Sequence, residues 1–160
     1  MFGYLLDLNS ARTTPEVKTE LLSLLGLRHL SEVSVRWPAM TISVRDREGL
    51  HALSLEICVE ELGVPLTTRV YYSVDNKIGD NEFGRAKDAM FASAAQLVNW
   101  ADAVAVFSFE SGSVIMRCLD GVLYLSEEWK TWRNPDVASQ VPGEPVFRAE
   151  LDSMTPPPAA

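Results

Sequence analysis

Cysteine, histidine and positive charge are all scarce in this chain. Its 160 residues hold two cysteines and two histidines. Cys58 and Cys118 lie in separate alternating apolar runs, LSLEICVE and VIMRCLDG, and His29 and His51 stand apart from both. That leaves no zinc-ligand spacing and favours buried strand thiols over a disulfide framework. Lysine and arginine total 14 against 22 aspartates and glutamates, for a net charge of −8. A nucleic-acid partner is not expected, because phosphate binding needs a basic face that displaces counterions. The longest nearly apolar run, residues 98–109, is broken by Asp102 and is too short to cross a bilayer. The opening MFGYLLDLNSAR has no basic segment and is interrupted by Asp7, so it does not read as a signal peptide. The expectation is a cytoplasmic protein with no nucleic-acid or membrane partner and no metal or other cofactor.

What is present is a globular composition, 47% hydrophobic and 22% charged. A chain of this length suits one domain with a sizeable core. Residues 2–9 read as a strand. Thr13-Thr14-Pro15-Glu16 is a helix start: Thr13 caps, Glu16 closes the capping box, and Pro15 falls in the first turn, where no hydrogen bond is lost. Val17, Leu21, Leu24 and Leu25 form one face before Gly26 ends the helix. Residues 40–45 and 53–60 alternate and read as two strands about an Arg47-Glu48-Gly49 turn, and residues 66–74 form a third β-rich run. Phe83, Ala86, Met90, Ala94 and Leu97 share one face of a helix running from Asp80 or Asn81 to about Asn99. Residues 102–110, 114–119 and 122–126 form a meander whose second turn is Asp120-Gly121. The order βαβββαβββ predicts an α+β fold, a largely antiparallel sheet with two helices on one face. The domain is expected to span residues 1–133. The Pro-rich remainder, 134–160, reads as a tail that is disordered beyond about Arg148.

The densest polar feature is Asp75-Asn76-Lys77-Ile78-Gly79-Asp80-Asn81-Glu82. An EF-hand frame starting at Asp75 would put Lys77, Gly79 and Asp80 at positions 3, 5 and 6, where oxygens and a glycine are required. The same residues fit a strand end, a turn, a cap by Asp80 or Asn81, and an acid at Glu82 in the first helical turn. Carboxylates also pair at Glu60-Glu61 and Glu127-Glu128, but adjacent strand residues face opposite ways, so neither pair suggests shared catalysis. No nucleophile elbow and no phosphate loop is present. Trp129 and Trp132 in EEWKTWRNP fall on one side of a helical turn, as a lid over the sheet or as an exposed anchor.

One further succession is informative. Glu60-Glu61-Leu62-Gly63-Val64-Pro65-Leu66 leads to Val70-Tyr71-Tyr72-Ser73-Val74-Asp75-Asn76-Lys77, then to a long helix, Asp102-Ala103-Val104-Ala105-Val106-Phe107, Glu110, and the hairpin with Val114-Ile115-Met116-Arg117. It resembles the Sit-type immunity proteins, cognate partners of bacterial swarm-inhibition and related polymorphic toxins. The resemblance covers residues 2–132, about four-fifths of the chain. It departs at Asp75-Asn76-Lys77, where adjacent Asp and Lys are expected. It implies a non-enzymatic cytoplasmic protein that binds and neutralises one toxin. The acidic composition fits a basic partner, with Glu60, Glu61, Asp75, Asp80, Glu82, Trp129 and Trp132 as the expected contacts. The alternative is a secretion chaperone that escorts an effector to export.

Overall fold

A computed structural model describes residues 2–110 and 112–151, leaving aside the side chains of residues 57–59. Seven strands form one sheet in the order β2-β3-β1-β4-β5-β6-β7. They are β1 (Phe2–Asn9), β2 (Met40–Asp46), β3 (Thr68–Val74), β4 (Val104–Phe109), β5 (Val114–Leu119), β6 (Val122–Ser126) and β7 (Val146–Arg148). All neighbours are antiparallel except β6 and β7, which run parallel. Among the described residues five α-helices accompany them: α1 (Thr14–Leu24), α2 (Val33–Arg36), α3 (Ala52–Leu62), α4 (Asp80–Trp100) and α5 (Pro135–Ala138). The α+β architecture expected from sequence is present.

Strand alternation sorts the side chains into two layers. On one face Tyr4, Leu6 and Leu8 of β1 meet Val70 and Tyr72 of β3 and Ala105 and Phe107 of β4, all buried. Helices α1 and α4 cover this face with Val17, Leu21, Met90, Phe91, Ala94 and Leu97, also buried. The start of α1 is the expected capping box: Thr13 Oγ1 accepts from the Glu16 N–H, and Glu16 Oε1 accepts from the Thr13 N–H. These bonds hold the Glu16 carboxyl below its ordinary range. The Asp120-Gly121 hairpin also forms, with φ of 51° and 77°, the left-handed pair that a two-residue turn demands.

Three expectations need correction. Residues 53–60 belong to helix α3, not to a strand, so the element order is not βαβββαβββ. Leu55 and Leu62 are seven residues apart, two helical turns, and both pack into a second cluster with Leu66 and Val106. Val106 alternates with the core residues Ala105 and Phe107, so α3 lies on the opposite face of the sheet from α1 and α4. The helices therefore do not all share one face. Residues after Arg133 are also part of the fold, since α5 and β7 extend it and Leu151 is buried. The Arg117 Nε–H donates to the Leu151 carbonyl at 3.0 Å and ties this segment to β5. Of the stretch beyond Arg148 that was expected to be disordered, residues 149–151 are described, with Leu151 buried, and residues 152–160 lie outside the described residues. So does the Cys58 side chain; Cys118 is buried in β5, as expected of a strand thiol.

Candidate functional site

The β3–α4 junction builds one rim of the molecule. β3 ends at Val74, paired on one side with Phe2 and on the other with Met40. Asp75 then folds into a side-chain turn, its Oδ1 accepting from the Lys77 N–H at 2.9 Å. The helix cap differs from expectation. Gly79 is the N-cap of α4 and no side chain caps it; neither Asp80 nor Asn81 does so. Asp80 and Glu82 instead lie in the first turn, where the helix dipole favours anions. Asp80 and Asn81 are exposed, and Asp75 and Glu82 are half-buried. The Glu82 carboxylate folds back towards Gly79, with Oε2 about 2.9 Å from where a Cβ on that glycine would stand. The surplus acids thus have no capping duty and face outward or along the rim.

Aromatic rings line the sheet immediately beneath. Phe2 contacts Phe83 at 6.4 Å and Phe109 at 5.6 Å between centroids, and Phe109 contacts Trp129 at 5.9 Å. Trp129 also meets Tyr4 at 6.2 Å and Phe91 at 5.9 Å. The two tryptophans separate in role. Trp132 is 1% exposed, packs tilted against Phe91 with ring centroids 4.8 Å apart, and donates its indole N–H to the Ile115 carbonyl at 3.2 Å. Trp129 is half-buried, with Lys87 Nζ 5.2 Å from its ring centroid. Burial pushes the Lys87 ammonium below its ordinary range, against the opposing pull of Asp88.

The structure thus brings Asp75, Asp80, Glu82 and Trp129 to one end of the sheet, with Trp132 packed inside. Glu60 and Glu61 do not join them. They are exposed on the last turn of α3, over the opposite face, where the Glu61 carbonyl accepts from Arg117 Nη1 at 3.0 Å.

Charged residues inside apolar strands were given no role in the sequence reading. Asp7 is buried and forms a two-pronged pair with Arg69: Nε donates to Oδ1 at 2.6 Å and Nη2 to Oδ2 at 3.0 Å. Arg117 is likewise buried. The available signal was a charge at a core-like position in YLLDLN and VIMRCL, which demands a partner. Beside this pair Leu5, Ser43, Arg45, Leu50, Arg69 and Tyr71 line a concavity of about 310 Å³.

Among the described residues no group of three or more histidine, cysteine, aspartate or glutamate side chains could hold a metal ion. No helix among them is long and apolar enough to cross a membrane. Comparison with known family models, curated proteins and solved structures found no match to this chain.

Proposed function

We propose that this protein is an immunity-type inhibitor that binds a basic domain of a cognate bacterial toxin in the cytoplasm and neutralises it by direct contact. The supporting observation is the β3–α4 rim. Asp75, Asp80 and Glu82 stand there without a capping role, and a chain of packed rings, Phe83, Phe2 and Phe109, runs from it to the half-buried Trp129. Outward acids at one rim steer a basic partner, raising association rates by roughly 10- to 10³-fold. A half-buried tryptophan already held by neighbouring rings loses little conformational freedom on binding, and tryptophan is enriched at interface hot spots. The net charge of −8 acts in the same direction over the whole surface. Trp132 is buried against Phe91, which Trp129 also meets, and makes no contact with the partner itself. Glu60 and Glu61 belong to a second acidic surface that the partner need not reach.

The test is co-expression with a toxin encoded beside this protein's gene. Protection of the host cell is expected, together with a stable complex on size-exclusion chromatography. Full toxicity despite soluble expression of both chains would overturn the proposal. Deleting this protein should leave export of the effector intact; failed export would favour the secretion-chaperone role instead.

A further inference from the structure

Lys87 occupies a place on α4 that neither charge pattern nor motif singles out. It projects between Phe83 and Phe91, one turn to either side. Its Nζ lies 6.0 Å from the Phe83 centroid, 5.9 Å from that of Phe91 and 5.2 Å from that of Trp129. Ring faces attract an ammonium through their quadrupole, but they accept none of its three hydrogen bonds well. Among the described residues Lys87 makes no hydrogen bond and no ion pair. A half-buried ammonium in that condition is desolvated, and Asp88, the carboxylate that pulls on it, makes no ion pair with it and accepts instead from Asn134 Nδ2. It borders an open concavity of about 400 Å³, shared with Ser113, Glu128, Trp129, Lys130 and Thr131.

We infer that this concavity is a carboxylate-binding site, with the Lys87 ammonium as its charge, the Ser113 and Thr131 hydroxyls as further donors and the Trp129 ring as its wall. The charges around it favour a monoanion. Within the concavity Lys87 and Lys130 bring two positive charges and Glu128 one negative, while Asp88 lines a different concavity, so a single carboxylate closes the local balance. A phosphate dianion would overshoot that balance, and none of the lining residues is an arginine that could grip it with two parallel bonds. The depressed basicity of Lys87 agrees with this, since an anion in the pocket would restore the ammonium. The carboxylate is either an acidic side chain of a partner protein or a free small acid. The site shares Trp129 with the rim but needs no toxin to be tested, so its failure is distinguishable from that of the inhibitor proposal.

The experiment titrates the protein with benzoate and with a blocked pentapeptide carrying one central glutamate. Benzamide and the glutamine peptide serve as neutral controls. Tryptophan fluorescence and the Lys87 side-chain nitrogen resonance are followed. One acid is expected to bind saturably with a Kd below about 1 mM, and its amide is not. Tighter binding of the peptide identifies a partner side chain as the source, and tighter binding of benzoate a free acid. Lys87→Met, which keeps the apolar stem, should weaken binding at least about tenfold at unchanged far-UV circular dichroism. Saturable binding of neither acid, or equal binding by the variant, would overturn the inference. In the unmutated protein, a Lys87 resonance unmoved by either acid would overturn it as well.

Discussion

Trp129 and Trp132 lie three residues apart, and their surroundings assign them opposite duties. Trp132 fills core space against Phe91 and satisfies its indole N–H on Ile115. Removing it leaves a large cavity and an unmet carbonyl, so Trp132→Ala should cost about 3–5 kcal/mol in urea unfolding. Trp129 is partly open to solvent, and Trp129→Ala should cost clearly less stability but weaken partner binding by about 2 kcal/mol or more. Stability and calorimetric binding measured on both variants separate the roles. Sequence spacing put both rings on one side of a turn. It could not say which was buried, because that depends on the sheet beneath. The same limit applies to Lys87, whose neighbours Phe83 and Phe91 are visible in the helical period but whose third ring, Trp129, comes from a distant segment.

At the scale of elements, those with end signals were legible. α1 carries its capping box, the β5–β6 hairpin its Asp-Gly turn, and α4 a long apolar face. α3 carries none. Leu53, Leu55, Ile57 and Val59 alternate as a strand would, yet Leu55 and Leu62 also fit a helix face. The tertiary context decides, since Val106 on the sheet offers a surface to the helical face. The helix leaves Leu53 60% exposed, a position the alternation would have buried. Glu56 is exposed in the middle of this helix. Glu56→Pro should therefore destabilise the protein by about 3 kcal/mol or more, with loss of helical circular dichroism. β7 was illegible for another reason. Its three residues carry no pattern, and their parallel pairing with β6 exists only once the chain has passed around α5.

The whole molecule has a pH limit set by groups buried in their neutral form. Burial pushes the Cys118 thiol up to about 11 from 9.0 and the Tyr4 phenol up to about 12 from 10.0, with Glu110 adding to the latter. Burial also raises the Tyr72 phenol, against a small opposing effect of Ser93. Above about pH 9 the unfolded chain releases these protons while the native state retains them, so stability falls as pH rises. It is fully present below that value. The melting temperature should drop between about pH 9 and 11, and Cys118→Ala should make the drop shallower. An identical slope in the variant would remove the thiol from this account.

Charge also acts across the whole molecule, and there the central claim is exposed to test. If the β3–α4 rim receives a basic partner, its carboxylates govern the approach of the two proteins. The direct measurement is the stopped-flow association rate with the cognate toxin domain, for the unmutated protein and for Asp80→Lys/Glu82→Lys, at low and high salt. The double reversal is expected to slow association by about tenfold at low ionic strength and to flatten the salt dependence, leaving dissociation nearly unchanged. An association rate and salt slope equal to those of the unmutated protein would contradict the acidic-rim account.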